Sequence, residues 1–140
     1  MAALKKRYYP KIAEEVYLAT LDNGMSLSII KKKGFIEKAA FLSTNFGALD
    51  NRFYIDGKLQ TYPAGIAHLL EHKLFEDDQG RDVTLDFVKL GADVNAFTTL
   101  DRTTYYFSTI DHFEESLELL LKFTSEFTSS EDTVNHEKRI

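Results

Sequence analysis

The sequence predicts an α+β domain, with a largely antiparallel sheet and helices packed against it. Three observations predict it. Two hairpin signals, Asp22-Asn23-Gly24 and Asp101-Arg102, each lie between β-type runs. Two segments, Pro63 to about Glu76 and Phe113 to about Phe127, carry apolar residues at helical spacing. The resulting order, β-β-β-α-α-β-β-α-α, joins neighbouring strands through short turns, and this favours antiparallel pairing.

The elements follow in turn. Residues 1–16 read as an N-terminal extension and residues 17–140 as the domain. Tyr17 to Leu21 and Met25 to Lys31 are short β-type runs around a turn whose Asn and Gly tolerate positive φ. Ala39 to Phe46 is a further strand, ended by Gly47, and a polar loop is expected from about Asp50 to Tyr62. Pro63 can open a helix, because its missing N–H costs nothing in the first turn. Asp77-Asp78-Gln79-Gly80 is a turn, Asp82 can cap a short helix through Leu90, and Gly91 can end it. Val94 to Leu100 and Thr103 to Ile110 are strands. Asp111 with Glu114 resembles a capping box for the next helix, and Ser129 with Asp132 resembles the start of a fourth. There are no internal repeats, low-complexity tracts or clear linkers.

Composition narrows the partners. A chain of 140 residues with 44% apolar content is the size of one domain with a core of its own. The formal net charge of −5, with no basic face, argues against nucleic acid; Lys31-Lys32-Lys33 reads as a strand end in solvent. The absence of cysteine excludes disulfides and thiolate metal sites. Met1 to Lys6 has no apolar run behind it, so no signal peptide is expected, and no stretch is long enough to span a membrane. The expectation is a cytoplasmic protein.

The most specific feature is His68-Leu69-Leu70-Glu71-His72. Composition alone, with 4 His in 140 residues, gives about 0.007 His-x-x-Glu-His pentads. At about 100° per residue, with His68 at zero, Glu71 falls near 300° and His72 near 40°. Ala67, Leu70 and Leu74 share a separate arc near 200–260°. One helix therefore carries two imidazoles and a carboxylate on one side and a face that can bury itself on the other. Two histidines four apart can grip one Zn²⁺ ion, and the neighbouring carboxylate can act on its water, which suggests a metallopeptidase. A lone histidine near an apolar stripe is usually structural; His112, at an expected helix start, and His136, in a charged segment, are read as ordinary surface residues rather than ligands.

The run from Gly65 to Glu76 resembles the metal helix of the pitrilysin–insulinase metallopeptidases, the inverzincins. Asn95-Ala96-Phe97-Thr98, followed by Thr104 and Tyr106, is similar to the strand pair after that helix, and Ser43 to Asp50 has the expected place and character. The details, especially His72-Lys73-Leu74-Phe75, look nearest to bacterial processing-protease homologues. The resemblance implies a truncated half-barrel subdomain, with His68 and His72 as zinc ligands and Glu71 as general base. It also implies that Asn95 and Ala96 lie on an edge strand that holds substrate by strand addition; on the residues alone, Asn95 reads equally as a strand-end or turn residue. The third ligand is implied beyond Ile140. Glu137 resembles an earlier glutamate that would orient a ligand through hydrogen bonds.

These implications describe the N-terminal part of a zinc endopeptidase acting on peptides or unfolded segments, completed by a homologous second half or partner subunit. By itself it would bind zinc weakly and not hydrolyse peptides. The alternative is a non-catalytic homologous subunit that presents peptides to an active partner. Zinc storage or a structural zinc site would need a closed four-ligand shell, for which the chain offers no Cys and no nearby third His.

Overall fold

The computed structural model describes residues 3–77 and 79–126. It divides into two compact units, Met1–Phe35 and Ile36–Ile140.

The first unit is a three-stranded antiparallel sheet of β1 (Lys5–Tyr9), β2 (Glu14–Thr20) and β3 (Ser26–Ile30), in that order. The Asp22-Asn23-Gly24 turn forms as the sequence predicts. Gly24 takes φ 86°, its N–H bonds the Leu21 carbonyl at 2.9 Å, and Asn23 Oδ1 accepts from Met25 N–H at 3.0 Å. Regular structure begins earlier than the sequence reading placed it, for Lys5–Tyr9 pairs with Glu14–Leu18. The charged run Lys5-Lys6-Arg7 hid this strand. Its long side chains lie at the surface, where Lys6 pairs with Glu15 at 2.6 Å and Arg7 stacks over Tyr9.

The second unit is built on a sheet ordered β4 (Lys38–Thr44), β8 (Thr103–Thr109), β7 (Ala92–Thr98), antiparallel throughout. Three helices cover one face: α1 (Ile66–Leu74), α2 (Thr84–Lys89) and α3 (Phe113–Ser125). Side chains alternate along each strand. Tyr105 and Phe107, with Ala92, Val94, Ala96, Ala40 and Leu42, meet Phe87, Leu120 and Phe123 from the helices in one aromatic-rich core. On the opposite face Phe41 stacks on Tyr106 at 5.2 Å while remaining 66% exposed.

Three expectations need correction. The segment from Asp50 to Tyr62 is a hairpin, β5 (Arg52–Ile55) and β6 (Lys58–Thr61), rather than a polar loop. Its turn is Asp56-Gly57, both at positive φ, which suits a tight two-residue connection. Helix α1 starts at Ile66, not near Pro63; Gly65 at φ 89° redirects the chain into the helix, and its carbonyl accepts the first helical bond, from Leu69 N–H at 2.9 Å. The Asp111–Glu114 capping box does not form. His112 caps α3 in the left-handed region with no side-chain capping bond, its ring instead reaching the Glu115 side chain at 3.3 Å. His112 is exposed, as expected of a surface histidine. Phe127, Ser129, Asp132 and His136, and with them the fourth helix, lie outside the described residues.

The turn after α1 is held by charge. Asp77 accepts Arg81 and Gln79 N–H groups, and Arg81 bridges Asp77 and Asp86. Bonds from Arg81, then Lys89, pull the Asp86 carboxyl down to about 2. A folded pKa below the ordinary aspartate value gives stability that is fully present above that value and lost as pH falls towards about 2. Asp86→Asn is therefore expected to lower the melting temperature by about 2 °C at neutral pH, an exposed network being worth little. The gap to the unsubstituted chain should close in melts taken at successive pH values below about 4; a gap constant down to pH 2 would count against the network.

Candidate metal centre

Helix α1 supplies His68, Glu71 and His72; Glu71 and His72 follow His68 by three and four residues, about one turn, and so share its side of the helix. Ala67 anchors the helix, being 1% exposed. The two imidazoles are exposed, whereas Glu71 is 8% exposed. The helical angles explain this difference. Glu71 lies only about 40° from Ala67, at the border of the apolar arc, while the histidines lie farther round.

The three side chains converge. His68 Nε2 and His72 Nε2 are 3.1 Å apart, and one ligand atom from each of the three residues falls within 4.8 Å of the others. Two nitrogens bonded at about 2.0–2.1 Å to one tetrahedral ion lie roughly 3.3 Å apart. The pair therefore fits a single ion with almost no rearrangement. Among the described residues this is the one group of three or more His, Asp or Glu side chains so placed. Glu137 lies outside the described residues.

Strand β7 forms the other wall. Thr98 Oγ1 donates to Glu71 Oε2. Tyr105, behind the carboxylate in the core, has its phenol pushed well above its ordinary value by burial and, secondarily, by the negative charge of Glu71. An open groove of about 470 Å³ is lined by Ala48, Gly65, His68, Glu71, Ala96, Phe97 and Thr98.

Of the two expected substrate-holding residues, Ala96 lines this groove and Asn95 does not. Asn95 is exposed, and its Oδ1 accepts from Ala96 N–H at 2.8 Å. That bond agrees with the ladder. Thr99 N–H bonds the Arg102 carbonyl at 2.8 Å, so Thr99 and Arg102 are a hydrogen-bonded pair. Alternation then makes Thr98–Thr103 and Ala96–Tyr105 non-hydrogen-bonded pairs. The main-chain N–H and C=O of Ala96 and Thr98 accordingly point to the outer edge of β7, which pairs with no strand among the described residues. Sequence reading missed Thr98 as a partner of Glu71. The period of two, which sets Thr98 on the same face as Ala96, was the signal that could have found it.

A family model described as Insulinase (Peptidase family M16) matches residues 60–140, more than half of the chain. The chain belongs to this family. Among curated relatives of this M16 chain, the uncharacterized zinc protease YmfH of Bacillus subtilis (strain 168) is 42% identical over 139 residues, 98% of this chain and 32% of its own length. An insulin-degrading enzyme homolog of Dictyostelium discoideum is 31% identical over 122 residues, 84% of this chain and 12% of its own. The M16 chain thus spans about a third of the length of the first of these. A crystal structure of an M16-like peptidase from Alicyclobacillus acidocaldarius superposes with TM-score 0.83 and 35% identity, over 90% of this chain and 30% of that one. Pitrilysin shares the fold at TM-score 0.55 and 20% identity, over 78% of this chain and 12% of that one. The family resemblance read from the pentad and the α+β fold class both hold.

Proposed function

We propose that this chain carries the water-activating half of a zinc endopeptidase centre. The observation that carries the reading is the 3.1 Å His68–His72 pair with Glu71 beside it. His68 and His72 would hold the ion, and a bound zinc would polarise a peptide carbonyl and acidify a water. Glu71 would take the proton of that water: its carboxylate is close to both imidazoles and sits in a partly desolvated groove. The outward main-chain groups of Ala96 and Thr98 would pair with an extended substrate as an added strand, with Asn95 swinging away from Ala96 N–H to admit it. Pairing of this kind reads backbone, which suits peptides or unfolded segments of varied sequence.

Among the described residues, two imidazoles leave a catalytic-type ion one protein ligand short. The 140 residues alone are therefore expected to hold zinc weakly and not to turn over peptides. A homologous second half or partner subunit would complete the groove, in a polypeptide placed in the cytoplasm.

The test is metal content of the natural polypeptide that carries this chain, beside its His68→Ala variant. About one zinc per chain, lost in the variant, is the expected result. No zinc in the unsubstituted polypeptide would overturn the reading in favour of a non-catalytic, peptide-presenting subunit.

A further inference from the structure

Thr98 has two attachments that meet at the site from different directions. Its side chain donates to Glu71 Oε2, while its main chain belongs to the outer edge of β7. The direction of the side-chain bond follows from counting protons. Thr103 Oγ1 lies 3.4 Å from Thr98 Oγ1, but it donates its one proton to the Phe46 carbonyl at 2.8 Å. The Thr98 proton therefore serves the carboxylate. One Glu71 oxygen is thereby committed, and Glu71 lines the groove together with His68.

We infer that Thr98 is a positioning residue: it fixes the orientation of the Glu71 carboxylate and ties that orientation to the strand on which substrate docks. The inference rests on the reading of Glu71 as general base. A peptide pairing with β7 bonds the Thr98 main chain and so stiffens the residue whose hydroxyl aims the base. Misaiming a catalytic group by about 1 Å can cost on the order of a hundredfold in rate. The expected signature is thus in kcat, since the docking edge is main chain and survives side-chain replacement.

The experiment compares Thr98→Val and Thr98→Ser in the natural polypeptide that carries this chain, with Glu71→Gln as reference. Valine keeps the shape and removes the hydroxyl; serine keeps the hydroxyl. We expect Thr98→Val to lower kcat at least about tenfold with KM within about twofold, and Thr98→Ser to recover most of the loss. A second readout needs no activity: melting of the polypeptide stripped of metal by a chelator. Thr98→Val strands a buried carboxylate and Glu71→Ala strands a hydroxyl, whereas the double variant strands neither. The combined melting shift should therefore be smaller than the sum of the single shifts. Additive shifts, or equal kcat losses in the valine and serine variants, would overturn the inference. Hydrolysis that depends on Glu71 but is indifferent to Thr98→Val would overturn the role of Thr98 alone. Hydrolysis that is absent, or indifferent to Glu71→Gln, would overturn the base reading and this role with it.

Discussion

Glu71→Gln in the natural polypeptide that carries this chain is expected to remove roughly 10²- to 10⁴-fold of peptide hydrolysis while leaving zinc content unchanged. The separation follows from the geometry. The two imidazoles are four residues apart with their Nε2 atoms 3.1 Å from each other, and they hold that spacing without the carboxylate. Glutamine has the shape of glutamate and keeps an oxygen for the Thr98 hydroxyl, so the groove wall and the fold should survive. What disappears is the capacity to take a proton. A thousandfold loss corresponds to about 4 kcal/mol of transition-state stabilisation. A second consequence is spectroscopic. The Tyr105 phenol is held high first by burial and second by the charge of Glu71. Removing the charge should bring its ionisation part of the way back towards the ordinary value in an ultraviolet pH titration. Full hydrolysis with zinc retained would end the assignment of Glu71 as base. Loss of zinc along with activity would instead make Glu71 part of the metal-holding set.

The sequence made the central helix and the two strongest hairpins legible because each rests on local physics. The pentad and the Ala67–Leu70–Leu74 arc depend only on a period of 3.6, and the Asp22–Gly24 turn only on residues that tolerate positive φ. The β5–β6 hairpin was missed although Asp56-Gly57 is the same kind of turn signal, because Arg52, Lys58 and Gln60 make its strands look like polar loop. Strand β1 was hidden likewise by Lys5, Lys6 and Arg7. The expected capping box gives way to a different local arrangement. Thr109 Oγ1 ties the Asp111 carbonyl at 2.5 Å, and the chain enters α3 through His112 in the left-handed region. The Thr98–Glu71 bond joins residues 27 positions apart and becomes visible only when β7 is laid against α1.

Gly47→Ala is expected to be the most damaging small substitution in the second unit. Sequence reading gave Gly47 only the task of ending a strand, but in the fold it is a point of contact. Its φ is not in the left-handed region, so conformational freedom is not the reason for glycine here. The reason is space. A Cβ at this position would lie 2.4 Å from Arg102 N and 2.6 Å from Asp101 N, main-chain atoms of the β7–β8 turn that no side-chain rotation can move aside. Three hydrogen bonds cross that close approach. Ala48 N–H donates to Thr99 O at 2.8 Å, Leu49 N–H to Leu100 O at 3.0 Å, and Thr103 Oγ1 to Phe46 O at 2.8 Å. Relieving the clash by roughly an ångström weakens all of them. Overpacking costs about 1–3 kcal/mol and each lost bond about 1 kcal/mol, so a total near 4 kcal/mol is expected, a large part of a typical domain's stability. The melting temperature should fall by roughly 10 °C or more, whereas Ala48→Gly, at the exposed neighbouring position, should change it little. A Gly47→Ala melt within about 2 °C of the unsubstituted chain would show that the turn can yield. The same displacement would carry Ala48 away from Ala96 and Thr98 across the groove. Any folded Gly47→Ala protein should therefore lose peptide affinity, through a higher KM, before it loses zinc.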